Sequence, residues 1–244
     1  MNVIILAAGM GSRLGARTAD APKPALSVAG RPLLAYDVAF ARLAGSSRVV
    51  VVVGYHAETT SELARSLGAD EIIVNPRWAD SGNLLSLFAA ARAGWLGDAF
   101  LVMNADHVYS PGIADRVASL ARSAAAVTAF VDTDRILGAD DMKVRLDGDS
   151  RVAAIGKNLE AWDAGYVGMT LVPAARAADY LDTAENVHRE KGDATHVEAV
   201  LGRMAGVEPA TTCDVSGHGW VEVDDENDLA RAEEFLTRKA WYSL

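Results

Sequence analysis

The residues best suited to chemistry stand near the start of the chain. "LAAGMGSRLG", Leu6 to Gly15, follows the apolar run Val3-Ile4-Ile5 and carries Gly9, Gly11 and Gly15 with Arg13 among them. Shortly afterwards, "PKPAL" sets Lys23 between Pro22 and Pro24, a stiff segment with φ fixed on both sides. A glycine-rich turn after a first strand holds phosphates through backbone N–H groups, and two cations beside it make a good cradle for a triphosphate. The same residues also read as a tight turn with two solvated cations. The spacing Gly9-x-Gly11-x-x-x-Gly15 misses the dinucleotide fingerprint by one residue. A dinucleotide site also asks for an acid at the end of the second strand, where this chain has Gly54-Tyr55-His56. The signature G-x-x-x-x-G-K-[ST] is absent. A dehydrogenase is therefore the weakest reading.

Regular elements must hold these residues in place. Val3–Ala7 reads as a strand, 32–43 as a helix, and "RVVVVVGY" as a strand buried on both faces, the pattern of a central parallel strand. A helix over 57–67 and the strand "DEIIVNP" follow, then a helix over 83–92 that Ser81 or Asp80 is expected to cap. "AFLVMNAD" is a fourth strand and 112–123 a further helix. From Ala125 the strands shorten: "AVTAFVD", "MKVRL", "RVAAIG" and "YVGMTLV". Helices are expected near 174–181 and 195–205, then "GWVEVD" and an amphipathic helix over 226–239. Regular β-α alternation predicts a Rossmann-like, mostly parallel central sheet with helices on both faces, the α/β class. No repeat or linker interrupts residues 1–244, so one domain is expected, its second half from 125 covering one side of the cleft.

Bulk properties narrow the function. The chain has 244 residues, half of them hydrophobic, and a formal net charge of −10. That excess of acid argues against nucleic acid as a partner while leaving room for a local anion pocket. Cys213 is the single cysteine, which excludes an intrachain disulfide framework and suits a reducing cytoplasm. Met1–Ala8 has no basic n-region, so no signal peptide is expected, and no stretch reaches the roughly 18 apolar residues of a membrane helix.

"LAAGMGSRLG" together with "PKPAL" resembles the signature of the sugar-phosphate and alcohol-phosphate nucleotidyltransferases, which share a glycosyltransferase-A-like fold. The resemblance runs the length of the chain. "NADHVYSP" resembles the family's metal-binding aspartate at the end of a central strand, and "GWVEVDDENDLARAE" the segment that supplies a second one before the last helix. "DHVYS", "IGKNL" and "WDA" point to the cytidylyltransferases of inositol 1-phosphate, with phosphocholine and phosphonate cytidylyltransferases as relatives. One departure leaves the acceptor open: where those inositol enzymes tend to carry an acid shortly after "WDA", this chain reads Gly165-Tyr166-Val167-Gly168. Two residues without side chains predict an acceptor pocket roomier or less polar than in those inositol enzymes.

The resemblance implies Mg²⁺ on Asp106 and Asp224, with Asp225 as the neighbour that substitutes. It implies a CTP site made by Leu6, Ala7, Ala8, Gly9, Gly11, Ser12, Arg13, Lys23, Ser81, Asn83 and Ala105. Ser81 to Asn83 also read as ordinary helix capping. Residues 1–124 form the nucleotide half, and residues 125–244 the acceptor half with the second metal aspartate. Lys23 is expected to stabilise charge at the α-phosphate and Arg13 at the departing phosphates. The acceptor is a small phosphorylated alcohol, inositol 1-phosphate first, with Lys143, Lys157, Trp162 and Asp163 as the candidates to hold it. Both reactants are anions that must be aligned in line, and no general base is needed because the acceptor phosphate is largely ionised. His107 has either a supporting or a structural role beside Asp106, and His188, His196 and His218 lack metal-ligand spacing. A phosphonate or phosphocholine acceptor, a sugar 1-phosphate uridylyl- or guanylyltransferase, and a nucleotide sensor without turnover remain as alternatives. The reading also allows a homodimer.

Overall fold

The structure, a computed structural model, describes residues 1–18, 21–239 and 241–242. Strand β1 (Asn2–Ala7) is followed by a one-turn 3₁₀ helix at Lys23–Ala25 and a small hairpin, β2 (Ser27–Val28) and β3 (Arg31–Pro32). Helix α1 (Leu33–Leu43), β4 (Arg48–Val53), α2 (Ala57–Ser66), β5 (Glu71–Val74), α3 (Asn83–Arg92) and β6 (Phe100–Asn104) continue the alternation. Next come β7 (His107–Tyr109), α4 (Pro111–Ala121), β8 (Thr128–Asp132), β9 (Lys143–Leu146), β10 (Val152–Gly156) and β11 (Ala164–Val172). The chain closes with α5 (Ala177–Lys191), α6 (Glu198–Met204), β12 (Thr211–Asp214), β13 (Trp220–Glu222) and α7 (Glu226–Lys239).

The main sheet runs β10-β9-β11-β6-β1-β4-β5, with β8 on the other edge of β11 and β12 beyond it. β1, β4, β5 and β6 run parallel to one another, and β11 joins β6 antiparallel. The alternation of side chains along β1 divides the core in two. Val3 and Ile5 face the layer containing Leu34, Phe40, Ile113 and Leu229 from α1, α4 and α7. Ile4 and Leu6 face Leu84, Leu87, Tyr180 and Leu201 from α3, α5 and α6. With apolar neighbours on both faces, β1 from Val3 onward has no room for polar residues until it ends in the glycine loop. Among the described residues, no helix is long and apolar enough to cross a membrane.

Three local expectations are corrected. Neither Ser81 nor Asp80 caps α3: the cap position is Gly82, without a side-chain hydrogen bond. A Cβ at Gly82 would lie 2.1 Å from the Thr195 carbonyl oxygen, so only glycine lets residues 193–195 close on the start of α3. Asp80 instead pairs with Arg77 at 2.7 Å. The helix expected over 174–181 runs from Ala177 to Lys191, because Tyr180, Ala184 and Val187 continue its buried face beneath charged residues. The helix expected over 195–205 is shortened to Glu198–Met204, since Thr195 is held in the turn against α3.

One small pairing decides the site. β7 and β13 form an antiparallel ribbon, with His107 opposite Glu222 and Tyr109 opposite Trp220. The Val223 N–H then donates to the Asp106 carbonyl at 2.8 Å. Asp106 and Asp224 are thus brought to the same end of the ribbon, at the mouth of β1.

Candidate active site

A cleft of about 400 Å³ opens at the carboxyl ends of β1 and β6. Its wall includes Leu6, Ala7, Ala8, Gly9, Gly11, Ser12, Arg13 and Lys23 from the first loop, and Ser81, Asn83 and Ala105 across from them. Asp106, Asp224 and Lys157 line the same cleft. Lys143, Trp162 and Asp163 do not. The Lys143 ammonium is buried and donates to the carbonyls of Lys157 at 2.8 Å and Ala139 at 3.4 Å, below the Trp162 ring. Asp163 accepts the Leu146 N–H at 2.8 Å. These side chains hold the β9–β11 edge and the segment carrying Lys157, rather than facing the cleft.

The loop is shaped around Lys23. Gly11 has φ +67°, and a Cβ there would lie 3.0 Å from the Lys23 stem, so the lysine crosses the loop where only glycine leaves space. The Thr18 hydroxyl donates to the carbonyl of Gly11 at 3.1 Å and closes the turn. The turn from Pro22, with the Ala25 N–H on its carbonyl at 2.8 Å, sets the lysine backbone.

At the end of that stem, the ammonium donates to Asp106 Oδ2 at 2.9 Å and Asp224 Oδ1 at 2.7 Å. Arg13 meets the second oxygen of Asp224 at 2.8 Å. Burial opposes charge on both Lys23 and Asp106, but their attraction overrides it. The two carboxylates hold the lysine above its ordinary range, and Lys23 with His107 holds the Asp106 carboxyl well below the usual carboxylate range. Two oxygens from distant parts of the chain therefore converge on one cation-sized point.

His107 supports this arrangement from behind. Its Nδ1 lies 2.6 Å from Asp106 Oδ1, and its ring is stacked between Tyr109 and Trp220. The space left by Gly168 is taken by this imidazole: a Cβ there would lie 3.0 Å from His107 Cε1 and 3.2 Å from the Tyr109 hydroxyl. At Gly165 the space is filled by Leu137, 2.7 Å from the would-be Cβ. The two glycines thus admit neighbouring protein side chains. Glu222, across the ribbon, lies 3.9 Å from His107 Nε2. Burial, with the nearby charges of Asp106 and Asp224, pushes its carboxyl up to about 7 against the pull of His107.

Potential metal-ligand atoms of Asp106, His107 and Glu222 also lie within 4.8 Å of one another. The imidazole is already engaged with Asp106, and a hard cation such as Mg²⁺ prefers oxygen, so the Asp106–Asp224 pair fits that ion better. The Lys23 ammonium sits between those carboxylates. Asp225 is committed to the helix beside it. Its Oδ1 accepts the N–H groups of Asn227 and Asp228 at 2.8 and 2.9 Å, capping α7.

Asn83 serves as a strut. Its amide donates to Asn104 Oδ1 at 3.2 Å and accepts the Val197 N–H at 2.8 Å, tying α3, β6 and the approach to α6 together. Sequence reasoning missed Asn75, Tyr166, His196, Glu198 and Glu222, all in the cleft wall. Glu222 carried a signal, since it stands two residues before Asp224 at the end of a strand. Glu198 carried none.

Among known proteins, the chain is 32% identical over 236 residues to the "Bifunctional IPC transferase and DIPP synthase" of Rubrobacter xylanophilus, covering 95% of this chain and 51% of that one. It is 30% identical to the "CMP-5'-(3-aminopropyl)phosphonate synthase" of Streptomyces rubellomurinus, covering 96% of this chain and 38% of that one. The chain thus spans about half or less of the length of these relatives. The solved inositol-1-phosphate CTP transferase of T. maritima superposes with a TM-score of 0.79 at 19% identity, covering 97% of this chain and 95% of that one, a likeness of fold. A model of the MobA-like NTP transferase domain matches residues 3–205, and the chain belongs to that family.

Proposed function

We propose that this chain is a cytidylyltransferase. A phosphate oxygen of a small phosphorylated alcohol attacks the α-phosphorus of CTP, the bond to the β-phosphate oxygen breaks, and pyrophosphate leaves. Inositol 1-phosphate is the first acceptor in this reading. The observation that carries it is the meeting of Lys23 with Asp106 and Asp224 beside the glycine loop, which gathers cations and carboxylates at one point in the cleft.

Asp106 and Asp224 are the residues to hold Mg²⁺, which when bound offsets the charge of the triphosphate. The backbone N–H groups from Gly9 to Arg13 and the two cations receive phosphate oxygens. Lys23 is set to neutralise charge that grows at the α-phosphate, and Arg13, half-exposed, to follow the departing phosphates. Lys157 is a cation on the acceptor side, held there through its carbonyl by Lys143.

A second reading, transfer to an aminoalkyl phosphonate, is favoured by the Streptomyces relative and keeps the nucleotide half unchanged. The test is a pyrophosphate-release screen of CTP, UTP, GTP and ATP against phosphorylated polyols, sugar 1-phosphates, phosphocholine and phosphonates. CTP with inositol 1-phosphate is expected to give the largest kcat/KM. Preference for UTP or GTP overturns the cytidylyl assignment, and absence of turnover with every pair supports a nucleotide sensor instead.

A further inference from the structure

Glu198 is the first residue of α6 and lines the cleft, yet is only 8% exposed. Its Oε2 is shut from solvent and has no hydrogen-bond partner among the described residues. A buried carboxylate oxygen without a partner is disfavoured, because the lost hydration is not replaced. Nor is this one placed loosely. The preceding segment is tied to the start of α3 by Gly82 N–H on the Asp193 carbonyl at 2.8 Å and Val197 N–H on Asn83 Oδ1 at 2.8 Å. The carboxylate is held in the cleft wall by the fold.

Two of the cations in the cleft are engaged elsewhere: Lys23 and Arg13 are both on Asp224, and Lys23 also on Asp106. A phosphate is repelled by Glu198, so the group that pairs with it belongs to the other end of the acceptor. Around it stand hydrogen-bonding groups. The Tyr166 hydroxyl, within reach of the Glu198 charge, bonds Thr170 Oγ1 at 2.8 Å, and His196 lies on the same stretch of wall. Together with the carboxylate, such a set offers several hydrogen-bonding atoms, as many as a polyol with several hydroxyl groups can use.

We infer that Glu198 is the acceptor-specificity residue of the cleft, its carboxylate receiving hydroxyl groups of a polyol at the end remote from the transferring phosphate. The inference rests on the cytidylyltransferase reading. An acceptor lacking those hydroxyls leaves the carboxylate unpaired and is rejected for that reason.

The test uses the full chain with Glu198→Gln, which keeps shape, and Glu198→Ala. Steady-state kinetics with CTP and inositol 1-phosphate is combined with calorimetric binding of CTP alone. The expected result is a rise in acceptor KM of about 10- to 100-fold in Glu198→Ala and a smaller rise in Glu198→Gln. CTP affinity should stay within about twofold of wild type in both, which also reports that the variants fold. An unchanged acceptor KM in both variants, or a parallel loss of CTP affinity in Glu198→Gln, overturns the inference while wild-type turnover keeps the reading. Turnover of an aminoalkyl phosphonate with none of a polyol phosphate also overturns it. If wild-type protein releases no pyrophosphate with any acceptor, the reading beneath it falls instead.

Discussion

Lys23 Nζ lies 2.7 Å from Asp224 Oδ1 and 2.9 Å from Asp106 Oδ2, so one ammonium bridges two carboxylates far apart in sequence. A divalent cation at that point must compete with the lysine. Lys23→Met should therefore raise the affinity of the ligand-free protein for a divalent cation by on the order of 10-fold, because a like charge has been removed. Turnover should fall at the same time. A Mn²⁺ titration followed by paramagnetic resonance reads the first effect, and unchanged or weaker binding would show that lysine and metal do not share the position.

The carboxylates themselves give the second prediction. Asp106→Asn and Asp224→Asn should each lower kcat by on the order of 10²-fold or more while the thermal midpoint stays near wild type. Near-normal activity of either variant in saturating Mg²⁺ would remove that residue from the site.

Gly168 is the third. Its φ is +75°, and a Cβ would press on His107 and Tyr109 at 3.0–3.2 Å. Gly168→Ala should cost about 1–3 kcal/mol in urea unfolding and reduce turnover by displacing the imidazole from Asp106. Wild-type stability in this variant would mean that the glycine is not needed for His107 to fit.

The fourth concerns pH. The Glu222 carboxyl is raised from 4.5 to about 7, chiefly by burial, so the folded state binds the extra proton between those values. Its contribution to stability must then fall as pH rises through that window. His107 acts in the same sense: its pKa is raised against burial by Glu222 and Asp106, so its contribution is present below 6.5 and lost as pH rises through the folded value. Wild-type protein should lose more stability between about pH 5 and about pH 8 than Glu222→Gln. Urea midpoints at the two pH values measure the difference, and equal losses would contradict the assignment.

By itself, the sequence determined what depends on near neighbours. The apolar runs of β1, β4 and β6, uninterrupted on both faces, left only a central parallel sheet as a way to bury them. The glycines at 9, 11 and 15 and the prolines around Lys23 announced a loop with two cations, because those residues set local φ directly. Asp106 and Asp224 were legible as acids ending strands, but their meeting was not. It comes from the β7–β13 ribbon, whose partners lie more than a hundred residues apart and whose strands are only three residues long. The same limit explains the acceptor side. Nothing in the residue types of Lys143 or Asp163 announced that backbone groups of Lys157, Ala139 and Leu146 would claim their charges. Nor did "THVEAV" show that Glu198 would be turned into the cleft. A charged side chain finds its role from the groups that surround it in space, and these are decided only when strands and helices from separate stretches pack together.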